Sequence, residues 1–387
     1  IWEINLPADA IHHGDLYKLN VYWEGGQGER IPAWATRVVQ DEQTKIFSAQ
    51  VWAPENPYKF KKKTFKPDTN PLLIYECHIG MAQQEEKVGT YNEFREKILP
   101  RIAEEGYNCI QIMAIQEHPY YGSFGYHVSS FFAASSRFGT PDELKALIDA
   151  AHEMGIAVIM DIVHSHAVKN EVEGLGNFAG DPDQYFYPGT RREHPAWDSL
   201  CFDYGKNEVK NFLIGSALMW IENYHVDGLR VDAVASMLYL DYGKEDGQWV
   251  PNIYGGNKNL EAIEFFKHIN TLILGRNPGS VMIAEESTAW PKVTGTVEDD
   301  GLNFSYKWNM GWMHDFLDYM KLDPYFRKDN HNKMTFAMSY NESEKYILVL
   351  SHDEVVHLKC SMLNKMPGLE GDKFKNLMAG YAFMMGH

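Results

Sequence analysis

Cysteine is scarce in this 387-residue chain. Its four cysteines lie far apart, form no Cys-x-x-Cys pair, and lack the spacing of a disulfide framework or a zinc knuckle. We therefore expect reduced thiols in the core of a cytoplasmic protein. The four residues are Cys77, Cys109, Cys201 and Cys360.

A long apolar run and a leader sequence are also lacking. No run reaches the roughly 18 apolar residues that a membrane helix needs, and no charged segment followed by an apolar one opens the chain. The sequence begins at Ile1, without a methionine and already strand-like, so we expect the natural N-terminus to be missing. Contact with a membrane is not expected.

The chain has few positive charges. It contains 36 Lys and Arg residues and 53 Asp and Glu residues, which gives a net charge of -17. This balance argues against nucleic acid and anionic membrane surfaces as partners and favours a neutral ligand. Aromatic residues make up 13% of the chain, which suits stacking on sugar rings and, equally, the filling of a large core. A monomer is expected.

Residues 1–60 predict a small β-sandwich or part of one. Short β-like pieces alternate there with polar turns and with the glycine-rich stretch Gly25–Gly28. A Pro- and Lys-rich passage then breaks the periodicity, so we expect a linker over residues 61–71 and a second domain over residues 72–387. The strands predicted before the linker are Leu16–Trp23, Ile31–Val39 and Lys45–Trp52.

From residue 72 onward, apolar runs of strand length alternate with amphipathic helical windows, as in βα units around a parallel sheet. One helix is predicted over Pro141–Met154, with Thr140 as its N-cap and Gly155 as its stop. Seven such strands predict an α/β fold of the (β/α)8 TIM barrel type, with the eighth strand absent before His387. An open doubly wound sheet is the alternative, although no Gly-x-Gly-x-x-Gly turn follows the first strand. The predicted strands are Leu72–Ile79, Cys109–Ala114, Ala157–Val163, Val226–Val231, Val281–Glu285, Phe304–Trp308 and Tyr346–Leu350.

Acids, imidazoles and an arginine recur where these strands end. In a barrel, side chains just past the carboxyl ends of different strands converge on one mouth, so we expect them to form a site. They are Tyr126 and His127 after the second strand; Asp161, His164 and His166 at the third; Arg230 and Asp232 at the fourth; Glu285 and Glu286 at the fifth; and His352, Asp353 and Glu354 at the seventh. The other histidines, among them His118, His194 and His268, are expected in the solvated surface or satisfied in the core.

The stretch His225–Val234 reads as a buried strand that carries two charges, Arg230 and Asp232. Charges are costly to bury, so the pair either ties strand to strand as a structural ion pair or presents a reactive carboxylate oriented by its arginine. A guanidinium two residues before a carboxylate favours the ionised form that a nucleophile requires. Both interpretations stay open on these residues alone.

Three separated carboxylates with flanking His and Arg suit glycosyl transfer, in which one acid protonates the leaving oxygen and another carboxylate attacks. A zinc site on His164 and His166 is the rival, but side chains two apart on a strand face opposite sides and chelate poorly. We therefore expect no metal. Alternation does not choose between Glu285 and Glu286, because both faces of a barrel strand are buried.

Four short segments resemble, in order, the motifs of the α-amylase superfamily, glycoside hydrolase family 13. The connecting segments Met113–Val128, Pro251–Phe265 and Leu363–Gly368 are similar to those of its glucan-branching enzymes, and the resemblance spans nearly the whole chain. The four segments are Asp161–His166, Gly228–Asp232, Ala284–Ser287 and Leu350–Asp353.

This resemblance implies an α-glucan substrate, such as glycogen or starch, and no cofactor. It implies that Asp232 is the nucleophile, Glu285 the general acid and base, and Asp353 the third carboxylate. Positioning roles fall to the remaining residues of the motifs. Arg230, His166 and His352 would position the sugar and Asp232, Asp161 would brace the site, and Tyr126 would stack on the ring.

Departures from the family pattern carry further expectations. Many amylases have Asn where this chain has Ser165, and that Asn helps to bind calcium, so no calcium requirement is expected. Residues 1–60 resemble the last part of a β-sandwich carbohydrate-binding module. Because an eighth strand and a C-terminal β-domain are absent, we expect a fragment of a longer enzyme that is inactive as given.

Three functions remain open. A branching transferase would pass the cleaved chain to a glucan 6-hydroxyl, whereas a hydrolase of the same superfamily would use water with the same carboxylates. A noncatalytic glucan-binding relative is the third, but such proteins are expected to lose a catalytic acid, and all three acids are present.

Overall fold

The computed structural model of the protein describes most of the chain, and its backbone clusters into two compact units, Ile1–Ser280 and Val281–His387. Each unit has parallel strands of its own. The described residues are 4–7, 9–62, 64–66 and 71–386.

Five short strands open the first unit. Strands β2 and β3 form an antiparallel hairpin, and β5 lies between β1 and β4 in a three-stranded antiparallel sheet. The apolar residues around the second sheet, including Val38, Phe47 and Ala49, form a buried cluster with Ala133 from later in the chain. The strands are β1 Leu16–Tyr17, β2 Leu19–Trp23, β3 Gly26–Arg30, β4 Val38–Gln40 and β5 Phe47–Gln50.

Two predictions for this region are wrong. The predicted turn at Gly25–Gly28 is mostly strand, because Trp23 pairs with Gly26 and only two residues remain to reverse the chain. Gly25 has φ +84, a conformation that favours glycine. The predicted strand Ile31–Val39 shrinks to Val38–Gln40, since its first part forms turns whose apolar residues Ile31 and Ala35 enter the buried cluster.

The Pro- and Lys-rich passage forms hydrogen bonds with the buried carboxylate of Asp149 on a later helix. Asp149 accepts hydrogen bonds from the Tyr58 hydroxyl at 2.8 Å and from the backbone N–H groups of Lys61 and Lys62 at 2.8 and 3.0 Å. Phe65 stacks on His152 of the same helix. Residues 63 and 67–70 of the predicted linker lie outside the described residues.

Four parallel strands form the main sheet of the first unit, in the order β14-β10-β7-β6. Strands β10 and β14 pair so that Asp161 on β10 lies opposite Arg230 on β14. Short antiparallel pairs occupy the connections. The strands are β6 Ile74–Cys77, β7 Cys109–Ile112, β8 Gln116–Glu117, β9 Ser130–Ala134, β10 Ala157–Ile162, β11 His166–Val168, β12 Glu193–His194, β13 Ser199–Cys201 and β14 Gly228–Val231.

Helices of this unit follow local sequence signals, and the predicted helix after Thr140 is confirmed. The Thr140 hydroxyl accepts from the backbone of Glu143, whose carboxylate accepts in return from the Thr140 N–H, and Gly155 follows the last turn at φ +78. The helices are α1 Tyr91–Glu93, α2 Leu99–Glu104, α3 Pro141–Glu153, α4 Asn207–Tyr224, α5 Val234–Leu238 and α6 Leu260–Arg276.

Among its described residues, the second unit holds three further parallel strands, in the order β17-β16-β15, and five α-helices. Helix α7 buries Trp312, Met313, Phe316 and Leu317 on its apolar face. The strands are β15 Val281–Ala284, β16 Tyr306–Asn309 and β17 Tyr346–Leu348. The helices are α7 Met310–Lys321, α8 Pro324–Arg327, α9 Asn332–Thr335, α10 Met362–Lys365 and α11 Glu370–Met385.

All seven strands predicted from residue 72 onward occur at the predicted places, each one to four residues shorter. All four cysteines are free thiols, but Cys360 is exposed, so its predicted place in the core is wrong. Among the described residues, no helix is both long and apolar enough to cross a membrane.

Candidate active site

The charged end of β14 forms a compact cluster in the first unit. The Arg230 guanidinium is buried, and its Nη1 donates to Oδ1 of Asp232 at 2.8 Å while lying 3.2 Å from Oδ1 of Asp161. The two roles considered for the arginine therefore coexist, since it links β14 to β10 and also holds Asp232. Ala233 follows with φ +52, a strained conformation for a residue with a Cβ, at the turn out of the strand.

Asp161 is fully buried and has a second partner, Tyr126. The Tyr126 hydroxyl donates to Oδ2 of Asp161 at 2.7 Å. Burial, with the Asp161 carboxylate nearby, raises the pKa of Tyr126 well above its usual value. The phenol therefore keeps its proton and donates to the carboxylate.

His166 joins the same network through the other end of Tyr126. Its Nε2 lies 2.9 Å from the Tyr126 carbonyl, and its Nδ1 lies 2.9 Å from the hydroxyl of Ser165. Burial lowers the pKa of His166 to about 3, so the ring is neutral. Because a carbonyl only accepts, Nε2 carries the proton and Nδ1 accepts from Ser165.

His164 does not join this network. It is buried near Phe265, and burial lowers its pKa to about 3. Its Tyr204 neighbour donates instead to the His164 backbone carbonyl at 2.8 Å. Within the described part of the chain, no group of three or more His, Cys, Asp or Glu side chains is arranged to hold a metal ion.

In the second unit, β15 ends at Ala284 and is followed by two adjacent glutamates in different surroundings. Glu286 is fully buried, its carboxylate lies 2.6 Å from Lys307 Nζ on β16, and it accepts from the backbone and hydroxyl of Thr288. Glu285 is half-buried. Alternation along the strand does not distinguish the two glutamates, but their burial does. Glu286 is fully buried against Lys307, whereas Glu285 is half-buried.

His352 and Asp353 lie just past β17 on one turn of 3-10 helix, His352–Glu354. The turn begins at buried Ser351, whose hydroxyl accepts from the Asp353 N–H at 3.2 Å. His352 Nε2 lies 3.5 Å from Oδ1 of Asp353, and the Asp353 side chain is 52% exposed. This acid faces solvent far more than Asp232, whose side chain is 14% exposed.

The structure therefore connects five of the predicted site residues within the first unit and two within the second. In the first unit a continuous path runs through His166, Tyr126, Asp161, Arg230 and Asp232. In the second unit, His352 contacts Asp353.

Sequence reasoning missed two supporting residues, Ser165 and Lys307. In the sequence, Ser165 is only a departure from a calcium-binding pattern, whereas in the structure its hydroxyl orients His166. Lys307 carries a signal that could have been used, because a lysine within the strand Tyr306–Asn309 needs a buried counter-charge. His127 lies near His166, with ring centroids 6.1 Å apart.

Comparisons with known proteins point to one superfamily. The family model described as alpha amylase, catalytic domain, matches residues 82–199. A crystal structure described as an alpha amylase from Salmonella typhimurium superposes with a TM-score of 0.66 at 21% sequence identity, covering 89% of this chain and 58% of that one. This likeness establishes an amylase-like fold.

Sequence similarity to curated proteins covers the whole chain. The 1,4-alpha-glucan branching enzyme GlgB of Butyrivibrio fibrisolvens is 49% identical over 408 aligned positions, which include all of this chain and 62% of that protein. The proteins of the same name from Thiobacillus denitrificans and Thermobifida fusca are 42% and 43% identical and are covered over 53% and 51% of their lengths. The chain thus spans between half and two thirds of these relatives, and it belongs to the α-amylase superfamily, among the sequences of its 1,4-alpha-glucan branching enzymes.

Proposed function

We propose that this protein is a retaining glucan-branching transferase, which cleaves an α-1,4-glucosidic bond and joins the released chain to a glucan 6-hydroxyl. The identity of 42–49% to curated branching enzymes along the entire chain carries the choice of reaction. The chemistry rests on Asp232, which is held by a buried guanidinium beside the end of a parallel strand.

Asp232 acts as the nucleophile. The hydrogen bond from Arg230 Nη1 favours the carboxylate form, and the remaining oxygen is then available to attack the anomeric carbon. Attack forms a β-glucosyl ester on Asp232 while the bond to the leaving glucan oxygen breaks. Glu285 supplies the proton that this oxygen takes up.

In the second half of the reaction, Glu285 removes the proton from the 6-hydroxyl of the acceptor glucan. That oxygen attacks the anomeric carbon, the ester breaks, and Asp232 leaves as a carboxylate. Glu285 rather than Glu286 suits this role because Glu286 is committed to Lys307 and Thr288. Asp353, with its side chain half exposed, binds hydroxyls of the distorted sugar.

The remaining site residues position the sugar. Tyr126 stacks on the ring while its hydroxyl stays bonded to Asp161, and Arg230 keeps Asp232 in place. Both ring nitrogens of His166 are bonded, so a sugar hydroxyl replaces the Tyr126 carbonyl as the acceptor of its N–H. His352 contacts the sugar next to Asp353.

Domain roles and location form part of the same proposal. Residues 1–60, with five short antiparallel strands, are proposed as part of a β-sandwich carbohydrate-binding module, residues 61–71 as the linker, and residues 72–387 as the catalytic barrel. A monomer in the reducing environment of the cytoplasm fits the four free thiols. The polymer is an α-glucan of the glycogen or starch type.

Incubation with amylose tests the proposal. A branching transferase lowers the iodine stain and creates α-1,6 linkages without releasing a matching number of reducing ends, and Asp232→Asn abolishes both signals. A hydrolase of the same superfamily releases reducing ends and creates no α-1,6 linkage. Neither signal would be expected of a noncatalytic glucan-binding protein.

We propose that the reaction needs no calcium, because the Ser165 hydroxyl is bonded to His166. Dialysis against a chelator should leave the rate of branching unchanged. A rate that falls in the chelator and returns with added Ca²⁺ would contradict this part of the proposal.

A further inference from the structure

A small cavity in the first unit is bordered by Ser165, the residue before His166. Side chains from several connections line it, among them Ser165, Arg191, His194, Lys244 and Asn259. The Ser165 hydroxyl donates to His166, so this one residue borders both the cavity and the candidate sugar-binding histidine.

His194 is the unusual member of the lining. It is 4% exposed, and neither ring nitrogen has a hydrogen-bond partner among the described residues. Its ring stacks on Trp197, with centroids 3.9 Å apart, which holds it in place. The prediction that this histidine is solvated or satisfied in the core is therefore wrong. A buried donor left without a partner is costly, and an ion or molecule bound in the cavity would remove that cost by accepting its hydrogen bond.

The lining carries two cationic side chains and no carboxylate. Arg191 lies over the Tyr187 ring at 3.8 Å, its Nε is buried without a partner among the described residues, and Glu261 is 3.7 Å from its Nη1. Lys244 is half-buried and has no ion pair within the described part of the chain. Because Glu261 balances Arg191, the lining and its neighbouring carboxylate together leave one net positive charge, on Lys244.

We propose that this cavity binds a small oxyanion of the phosphate type, with Arg191, Lys244 and the N–H of His194 as donors. Arginine and lysine are the side chains that recognise phosphate, and a neutral histidine supplies one further N–H. The free ion is favoured over a phosphate ester because the cavity is small and the aromatic side chains around it leave little room for an attached group. Binding of the anion does not depend on the proposed branching activity.

Occupancy of the cavity affects the neighbouring site through two contacts. Ser165 borders the cavity and bonds His166, and Trp197, which stacks on His194, lies 5.3 Å from the His166 ring. A bound anion therefore changes the surroundings of the histidine assigned to sugar positioning, a consequence that rests on the proposed function.

Calorimetric titration with inorganic phosphate, against chloride at matched ionic strength, tests the site in the intact protein. We expect saturable binding that Lys244→Met weakens by about tenfold or more, since one charge-assisted donor is lost. Lys210→Met is the matched control, because Lys210 on α4 is half-buried, forms no ion pair within the described residues and lies outside the cavity. This control should bind phosphate as the unmodified protein does.

His194→Phe is a second variant. It removes the His194 N–H but keeps a ring that can stack on Trp197, and it should weaken phosphate binding to a similar extent. Glucose 6-phosphate should bind more weakly than the free ion. No saturable binding at millimolar phosphate, or equal binding by the Lys244 and Lys210 variants, overturns the proposal and leaves a solvent-filled cavity. Branching of amylose is assayed on the same protein. Absence of branching in phosphate-free buffer would refute the proposed function, whereas the titration would still test the anion site.

Discussion

The charged residues at the strand ends have different partners in the two units. Each has a fully buried pair beside its strand ends, Arg230 with Asp161 in the first and Lys307 with Glu286 in the second. In the first unit the candidate nucleophile Asp232 is bonded to the same nitrogen that makes the buried pair. In the second unit the buried pair is made by the residue next to the candidate acid Glu285.

This difference separates two ways of placing a reactive carboxylate. Where the reactive group shares the arginine that holds two strands together, stability and activity depend on one side chain. Where a neighbouring residue makes the buried pair, as Glu286 does with Lys307, the candidate acid can be changed while that pair stays intact. We therefore expect coupled effects of mutation in the first unit and separable effects in the second.

Arg230→Met should have the largest effect, because it removes the counter-charge that Asp161 and Asp232 share. A buried carboxylate left without its counter-charge destabilises a protein by about 3–5 kcal/mol, and loss of branching should accompany it. The free energy of unfolding from urea titration measures the first effect. Arg276→Met, which breaks an exposed pair with Glu222, is the control and should change stability by less than about 1 kcal/mol.

Glu285→Gln should lower the branching rate by about 10³-fold, since it removes the proposed general acid and base. The free energy of unfolding should fall by less than in Glu286→Gln, because the buried Lys307 keeps its Glu286 carboxylate. A variant that loses stability to the same extent as activity would show that the second unit couples the two properties after all. Branching of amylose and urea titration measure the two quantities on the same sample.

Glu286→Gln should show the opposite pattern. It leaves the Lys307 ammonium buried without a carboxylate, at a cost of about 3 kcal/mol in unfolding free energy, while branching by the folded fraction is kept. Lys333→Met, which breaks the exposed pair with Asp318, is the control in this unit. Equal losses of activity in the Glu285 and Glu286 variants would remove the assignment of the general acid.

The smallest expected effect is the loss of stability at acidic pH. Burial holds the pKa of His164 and of His166 at about 3, well below the ordinary value of 6.5. Between these values the unfolded chain binds a proton that the folded chain does not, so stability is lost as pH falls below 6.5. At pH 5 the loss is about 2 kcal/mol for each histidine.

Urea titrations at pH 7 and pH 5 measure this dependence. His164→Leu should reduce the difference in unfolding free energy between the two pH values, whereas His268→Leu, at an exposed position on α6, should not. An unchanged difference in the His164 variant would mean that the buried imidazole is not a source of acid sensitivity.

Local sequence signals were sufficient where the deciding residues are close together in the sequence. The helix after Thr140 was predictable because its cap, its acidic third residue and its terminal glycine act within one turn of backbone. The seven parallel strands were also predictable, since each is a short apolar run between turn signals. The hairpin at Gly26 was not predictable. Its second strand, β3, contains glycines, which in the sequence are typical of a turn.

The sequence by itself determined the alternation of strands and helices and the positions of the acids at strand ends, because side-chain periodicity and motif order are properties of the chain alone. Only the tertiary structure decided which neighbours those charges meet. Glu285 and Glu286 are adjacent and chemically identical, yet burial against Lys307 distinguishes them. Likewise, the surroundings of the buried His194 ring are defined by residues distant in the chain, which no local pattern specifies.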